Sequence, residues 1–327
     1  MDVLSDVLGA IKLRGALYFH GEFTAPWAAR TPASDVISRH FGPDNRIVIF
    51  HLVTEGQGQA GIEGGPFVEL TPGDIVVFPR GDAHVIGNGV PPVVQDFEPE
   101  LERVLDQGLQ LSRAGGGGEV TRFVCGYLSC DQHMSRVLLA GLPPVFKVNV
   151  REQGAGQWLE SAIAFLVGES HGSPTGSEAV LARLAESLFI ETLRRHILSL
   201  PAVQTGWLAG VRDPQVGKAL ALLHADPERR WTLEMLARGA GLSRTLLAER
   251  FRHFIGESPM AYLKRWRLQL AARLLRGTSR SVAAIAAEVG YESEASFNRS
   301  FGREFGKPPA RYRRGSQARP AGPGKRS

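Results

Sequence analysis

The chain has 327 residues, 43% of them hydrophobic and 22% charged, which is the composition of a globular protein long enough for two domains. Its apolar runs are too short to span a bilayer and its acidic start is unlike a secretory signal, so we expect a cytoplasmic protein without a membrane segment. Two cysteines are too few for the disulfide framework of a small secreted domain.

Positive charge is concentrated in the last third of the chain. The overall net charge is +5, but residues 212–327 contain 23 Lys and Arg against 10 Asp and Glu, a net charge of +13. The preceding residues carry a net charge of −8. A basic module joined to an acidic one is typical of nucleic-acid binding, although a solvated basic face would give the same count.

The predicted elements change type along the chain. A short amphipathic helix is predicted over residues 1–14, and strand-like runs such as RIVIFHLV and DIVVFP follow between residues 16 and 128, punctuated by Gly and Pro. Helical spacing of apolar residues begins after Pro144, with helices predicted over Gln157–Glu169 and Ser177–Leu200 and throughout residues 214–314. The sequence therefore predicts an α+β protein with two domains, one β-barrel or sandwich and one all-α.

A helix–turn–helix pattern occurs twice in the helical region. TLEMLARGAGLSRTLLAERFRHF and SVAAIAAEVGYESEASFNRSFGREF each combine an apolar first helix, a Gly at the turn, a Ser N-cap and inward-facing residues on the second helix. In the first copy the predicted inward residues are Leu246, Leu247, Phe251 and Phe254. A connecting helix of about sixteen residues, about 24 Å long, would set the two second helices in successive major grooves about 34 Å apart. We therefore predict a DNA-binding domain.

The stretch AAEVGYESEASFNRSFGREFGKPPARYRR resembles the signature of the AraC/XylS family of bacterial transcription regulators, and the resemblance covers residues 214–314. It implies that the outward-facing positions of the second helices meet DNA: Arg244, Thr245, Ala248, Glu249, Arg252, Glu294, Ser296, Asn298, Arg299 and Arg303. Asn298 and Arg299 have the chemistry to read adenine and guanine, and Glu249 either accepts from cytosine or pairs with Arg252. The predicted phosphate contacts are Lys264, Arg265, Arg267, Lys307, Arg311 and Arg313.

In the front half, GDIVVFPRGDAH with Asn88 resembles the second motif of the cupin family, a double-stranded β-barrel. The first motif is incomplete, because FHLVTEGQG supplies only His51, with Val53 where a second His would stand. His51 and His84 alone make a poor metal site, so we expect neither metal nor cofactor. The barrel would bind a small molecule, with Trp27, His51 and His84 as candidate pocket residues. Core histidines satisfied by hydrogen bonds are the alternative.

The order of barrel, helical middle and double helix–turn–helix resembles a subgroup of AraC-type regulators that also carries APW, FHLV, CGYL and LLAGLPPV. Some members sense oxidants such as hypochlorous acid through cysteines, and Cys125 stands at the position of one of them, whereas Gly21 replaces its usual partner. Cys130 is a substitute partner only if the chain turns at Ser129, because residues five apart in one strand are about 16 Å apart. A buried, inert Cys125 is the alternative.

The sequence thus predicts four segments: a cupin-like sensor domain over 1–145, a helical dimerisation or linker region over 146–210, an AraC-type double helix–turn–helix domain over 211–314 and a disordered basic tail over 315–327. We expect a sequence-specific regulator, by default an activator and not an enzyme. It would bind promoter DNA as a homodimer, contact RNA polymerase and respond to a small-molecule effector or an oxidant. A metal-dependent cupin enzyme with a DNA-binding appendage and a thiol-based redox regulator without a ligand are the alternatives.

Overall fold

The computed structural model describes most of the chain, and the chain separates into two compact units. The described residues are 3–11, 13–34, 45–89, 94–97, 110–131, 139, 141–151, 161–162, 165, 176–201 and 204–317. One unit spans residues 12–199, and the other combines residues 1–11 with residues 200–327. The N-terminal segment therefore groups with the helical unit, whereas the sequence-based boundaries assigned residues 1–145 to one domain.

Two β-sheets lie in the unit of residues 12–199, which confirms the predicted β-rich front half. The strands are β1 (Arg14–Thr24), β2 (Trp27–Thr31), β3 (Asn45–Glu55), β4 (Gly58–Ile62), β5 (Phe67–Leu70), β6 (Asp74–Phe78), β7 (His84–Asn88), β8 (Gln95–Asp96), β9 (Gln110–Gly115), β10 (Val120–Asp131) and β11 (Phe146–Asn149). The first sheet has the order β11-β6-β3-β10-β1-β9 and the second the order β5-β4-β7-β2-β8. Neighbouring strands run antiparallel, except that β1 with β9 and β2 with β8 are parallel.

Side chains from both sheets meet in one aromatic core. Phe23 of β1, Trp27 of β2 and Phe123 of β10 are all buried. The Trp27 indole stacks on the Phe123 ring with centroids 5.1 Å apart, and Phe23 meets the two rings edge-on at 4.9 and 5.3 Å. Burial of one such side chain stabilises a fold by about 1.5–3 kcal/mol, so this cluster is a main contribution to holding the sheets together.

Helix α2 (Ser177–Ser199) covers β1. A Cβ added at Gly15 would lie 2.9 Å from the carbonyl oxygen of Ala182 and 3.0 Å from the Cβ of Ala185. Strand and helix approach this closely because residue 15 has no side chain. Helix α2 confirms the helix predicted over Ser177–Leu200, while the one predicted over Gln157–Glu169 lies almost entirely outside the described residues.

The other unit is helical, as the apolar periodicity predicts. Its helices are α1 (Val3–Ile11), α3 (Trp207–Arg212), α4 (Pro214–Ala225), α5 (Leu233–Ala240), α6 (Arg244–Ile255), α7 (Pro259–Gly277), α8 (Val282–Glu288), α9 (Glu294–Phe305) and α10 (Pro309–Gln317). Helix α1 packs against α4. Helix α10 continues beyond the domain end predicted at residue 314, and residues 318–327 lie outside the described part. None of the described helices has the length and apolar character needed to cross a bilayer.

Helices α5 and α6 form the first helix–turn–helix and α8 and α9 the second, and the same local devices build both. The Oγ atoms of Ser243 and Ser293 each accept a hydrogen bond at 3.2 Å from the backbone amide three residues on, so both predicted N-caps are confirmed. Gly241 and Gly290 stand at the turns with φ of 74° and 84°, a region that strains any residue with a Cβ. Between the motifs, α7 is 19 residues long, about 28 Å, somewhat longer than predicted.

Candidate nucleic-acid interface and barrel interior

Helix α6, the candidate recognition helix of the first motif, exposes the polar face that the sequence predicts. Leu247 and Phe251 are fully buried and anchor it. Four of the predicted DNA contacts are exposed, namely Arg244, Thr245, Glu249 and Arg252. The fifth, Ala248, is half-buried. The prediction that Leu246 points inward is wrong, because its side chain is 46% exposed. Residues three apart share a helix face, so Leu246 belongs with Glu249 on the solvent side.

Helix α9 repeats this arrangement in the second motif. Phe297 and Phe301 are fully buried, and the predicted contacts lie on the other side, with Glu294, Arg299 and Arg303 exposed and Ser296 and Asn298 half-buried. A cleft of about 350 Å³ runs beside this face. Its walls are Val282, Glu294, Asn298, Arg299 and the segment 308–310. The two polar residues best suited to read base edges therefore stand next to an apolar surface.

The basic residues predicted to contact phosphate fall into two groups. Lys264, Lys307 and Arg311 are exposed, and the half-buried Arg265 pairs with the carboxylate of Glu257. In the described part of the chain, Glu249 and Arg252 form no ion pair with each other.

Two of the arginines predicted to contact phosphate are hydrogen-bonded to backbone carbonyl groups in the structure. The guanidinium of Arg267 donates to the carbonyl oxygens of Pro227, Arg229 and Gly290 at 2.6, 2.9 and 3.1 Å. It therefore ties the α4–α5 loop to the turn of the second motif. Arg313 donates to the carbonyl oxygens of Leu275 at 3.2 Å and Arg280 at 2.5 Å. Local sequence patterns identify basic residues but not the distant carbonyl groups that engage them.

One ion pair on the first motif was not predicted. Arg250 of α6 donates to the carboxylate of Asp213, with Nη2 2.6 Å from Oδ2. The Asp-Pro step at residues 213–214 is a helix-start signal that could have identified the carboxylate as an N-cap. Nothing in the sequence indicates that an arginine 37 residues later is its partner.

Three buried polar side chains form a chain of contacts inside the barrel. His51 of β3 and Cys125 of β10 are directly paired in the sheet register, and His84 of β7 reaches them from the other sheet. Nδ1 of His51 lies 2.6 Å from Sγ of Cys125, and Nε2 of His51 lies 2.7 Å from Nε2 of His84. Nδ1 of His84 lies 2.8 Å from the carbonyl oxygen of Asp82. The sequence predicted both histidines but not the register that pairs His51 with Cys125.

The direction of the hydrogen bonds follows from the Asp82 carbonyl, which can only accept. His84 therefore donates from Nδ1 and accepts at Nε2, His51 donates from Nε2 and accepts at Nδ1, and the Cys125 thiol donates to His51. Burial lowers the pKa of His84 to about 4. Burial and, after it, the charge of His84 lower the pKa of His51 well below its usual range, and burial raises the pKa of the Cys125 thiol. All three groups are thus neutral at pH 7.

This donor set does not suit a metal ion. Cys125 and His84 approach opposite nitrogens of the His51 ring, so the three side chains cannot converge on one ion. Across the residues that the structure describes, no group of three or more His, Cys, Asp or Glu side chains is arranged to hold one. Elsewhere in the same core, Nε1 of the buried Trp27 has no hydrogen-bond partner among the described residues.

The cysteines cannot form the disulfide considered for them. Strand β10 continues through both residues to Asp131 without a turn at Ser129, so Cys125 and Cys130 stay about 16 Å apart along it. Both thiols are buried and outside any disulfide among the described residues, and the Sγ of Cys130 is 3.6 Å from the carbonyl oxygen of Arg46.

Comparisons with known proteins cover both units. A family model described as Cupin matches residues 2–198, and one described as Helix-turn-helix domain matches residues 236–315. The crystal structure of the DNA-binding domain of AdpA with a target DNA is 31% identical, covering 32% of this chain and 95% of that chain, with a TM-score of 0.31.

Relatives of known name match nearly the whole chain. An AraC-like transcription regulator of Streptomyces lividans is 33% identical over 96% of this chain and 98% of its own. The HTH-type transcriptional regulator AlkR of Acinetobacter baylyi is 29% identical over 97% of this chain and 100% of its own. The RCS-specific HTH-type transcriptional activator RclR of Escherichia coli is 30% identical over 84% of this chain and 87% of its own. With its cupin front half and paired helix–turn–helix motifs, the chain belongs to the AraC-type family of DNA-binding transcriptional regulators.

Proposed function

We propose that this regulator reads promoter DNA by placing α6 and α9 in successive major grooves. The observation that carries the proposal is the matched construction of the two helices. Each begins at a Ser N-cap, is anchored by fully buried residues and presents a row of polar side chains to solvent. A helix of this kind fits the major groove, where base edges are distinguishable.

The residues that we assign to the DNA interface have different tasks. Base-edge and neighbouring groove contacts come from Arg244, Thr245, Ala248, Glu249 and Arg252 on α6 and from Glu294, Ser296, Asn298, Arg299 and Arg303 on α9. Lys264 contacts phosphate, and Arg265 does so while remaining paired with Glu257. Selection of bound DNA from a random pool by the full chain, followed by footprinting, tests this. We expect one preferred site with two protected half-sites about one helical turn apart. Protection of random DNA alone would contradict the assignment.

For the sensing role, we propose that the barrel responds to a small-molecule effector at Trp27, His51 and His84. Trp27 supports this, because its buried N–H has no partner among the described residues and is a donor that a ligand can satisfy. Trp27→Phe keeps an aromatic ring and removes the donor, so it is the matched test. In thermal-shift screening of small polar metabolites, a compound should stabilise the wild type and not Trp27→Phe. Equal stabilisation of both proteins would remove Trp27 from the site.

A thiol-based response is the second candidate, because the Cys125 sulfur contacts His51 at 2.6 Å. One relative is named as specific for RCS. After hypochlorous acid treatment, intact mass spectrometry should show oxygen addition on the wild type that is lost in Cys125→Ser and retained in Cys130→Ser. Equal oxidation of the wild type and Cys125→Ser would exclude this candidate.

The remaining assignments concern the assembly. We propose a cytoplasmic homodimer that pairs through the region of residues 146–210, contacts RNA polymerase at its promoter and activates transcription. We assign no metal-dependent catalysis to the barrel, because Cys125 and His84 contact opposite nitrogens of His51 and cannot converge with it on one metal ion. Light scattering on purified protein tests the dimer, and a monomeric mass at micromolar concentration would contradict it. Stoichiometric metal together with turnover would favour the cupin-enzyme alternative.

A further inference from the structure

The short helix α3 connects the preceding chain to the first helix–turn–helix through several specific contacts. The amide of Gly206 donates to the carbonyl oxygen of Phe254 at 2.9 Å, at the C-terminal end of α6. Nε1 of Trp207 donates to Oη of Tyr262 at 3.0 Å, and both side chains are buried. Helix α3 is therefore fastened to the end of α6 and to the start of α7.

Two glycines allow this close approach. A Cβ on Gly210 would lie 2.7 Å from Cδ1 of Ile255 and 3.3 Å from Cβ of Phe254. A Cβ on Gly217 would lie 2.5 Å from the carbonyl oxygen of Val211. Helix α3 thus packs tightly between the end of α6 and the first turn of α4.

An ion pair completes the connection at the junction of α3 and α4. The Asp213 side chain is the N-cap of α4 and accepts from the amides of Gln215 and Val216 at 3.1 and 2.9 Å. The same carboxylate accepts from Arg250 of α6, from Nε at 3.2 Å to both oxygens and from Nη2 at 2.6 Å. Asp213 is only 8% exposed, whereas the Arg250 side chain is 39% exposed, so the bidentate geometry supports the strength of this pair more than burial does.

The connection contacts the first recognition helix directly and reaches the second only through α7. Helix α9 packs against α7, α8 and α10, and among the described elements α3 packs against α4 and α6. A change in the position of α3 would therefore move α6 directly, while it would reach α9 only through α7.

We propose that Asp213 and Arg250 are positioning residues for DNA recognition. They hold α6 against the linker helix α3, so that the first motif depends more directly than the second on the chain segment that enters at Leu200. This inference rests on the proposed reading of DNA by α6. Arg250 acts through Asp213 and is not assigned a DNA contact of its own. If it were a phosphate contact, freeing it from Asp213 would strengthen binding.

The substitution Asp213→Asn separates the two tasks of this side chain, because Asn still caps a helix and no longer carries the charge that pairs with Arg250. The experiment is hydroxyl-radical footprinting of the full-length protein on the selected operator, with a titration for affinity. We expect about tenfold weaker binding and loss of protection at the α6 half-site, with the α9 half-site still protected. The matched control is Glu234→Gln, which removes an exposed ion pair with Arg238 on the same motif and should change neither half-site.

Arg250→Gln provides the second variant, and combining it with Asp213→Asn closes a double-mutant cycle. The double variant should bind no more weakly than either single variant, because both substitutions break the same contact. Four results would each overturn the positioning role. Two concern the pattern of loss: additive losses in the double variant, or equal loss at both half-sites. The other two are unchanged or tighter binding by Asp213→Asn, or a loss explained by a lower melting temperature alone. A wild-type protein that protects neither half-site overturns the proposed function itself.

Discussion

Individual side chains set the chemistry of the barrel interior, and their protonation can be measured. Burial holds the pKa of His84 at about 4, against 6.5 for an ordinary histidine. Between these values the unfolded chain binds a proton that the folded chain does not. The contribution of His84 to the free energy of unfolding is therefore largest above pH 6.5. It decreases as the pH falls toward 4, by at most about 1.4 kcal/mol per pH unit for one histidine.

Urea denaturation at about pH 7 and about pH 5 checks this sign, with His84→Gln as the comparison. The variant should lose less stability between the two conditions than the wild type does, because it has one fewer buried imidazole. The lowered pKa of His51 acts in the same direction and accounts for part of the remaining slope. Identical pH dependence of the two proteins would show that His84 is not buried in its neutral form.

Arg299 is the residue whose proposed contact with DNA is most sharply testable. Its side chain is exposed on α9 beside the cleft, and its guanidinium can donate two hydrogen bonds to one guanine. Arg299→Ala should weaken binding to the selected site by about 1–3 kcal/mol and relax the preference at one base pair. Competition titrations with selected and scrambled DNA measure both effects. An equal loss on the two DNAs would make Arg299 a phosphate contact.

At the scale of elements, the two turns of the helix–turn–helix motifs differ in their surroundings. Gly241 and Gly290 both have positive φ, but a Cβ on Gly241 would meet nothing within 4 Å. A Cβ on Gly290 would lie 2.8 Å from the Cα and the carbonyl oxygen of Glu228. Gly241→Ala should cost about 1–2 kcal/mol from backbone strain alone. Gly290→Ala should cost more, since backbone atoms must also move. Thermal denaturation of the two variants ranks them, and equal costs would contradict the close contact at Gly290.

Element types, caps and turns could be predicted from the sequence because local residues determine them. Ser243, Ser293, Gly241 and Gly290 all have the roles that their spacing indicates. Contacts between distant segments could not be predicted. The register that pairs His51 with Cys125 joins strands 74 residues apart, and the partner of Arg250 depends on how α3 packs. Leu246 shows that apolar periodicity does not fix the burial of every residue, because an apolar residue at the edge of a helical stripe can face solvent.

On the scale of the whole molecule, the separation of charge predicts how binding responds to salt. Residues 212–327 carry +13 and the rest of the chain −8, so attraction to DNA comes from one region. Each phosphate neutralised by Lys or Arg contributes about 0.9 to the slope of log affinity against log salt. The structure divides the basic residues into exposed side chains such as Lys264 and side chains such as Arg267 that are bound to backbone carbonyls.

Lys264→Ala should therefore weaken binding to all DNA sequences alike and reduce the salt slope by about one. The matched control is Lys218→Ala, which removes the same charge from an exposed position on α4 that is not assigned to the interface. It lowers the net charge of the molecule equally, so any general attraction to DNA falls to the same extent in both variants. Fluorescence titrations at several salt concentrations give the slopes. If the two variants have the same slope, Lys264 contributes only through net charge and does not touch a phosphate.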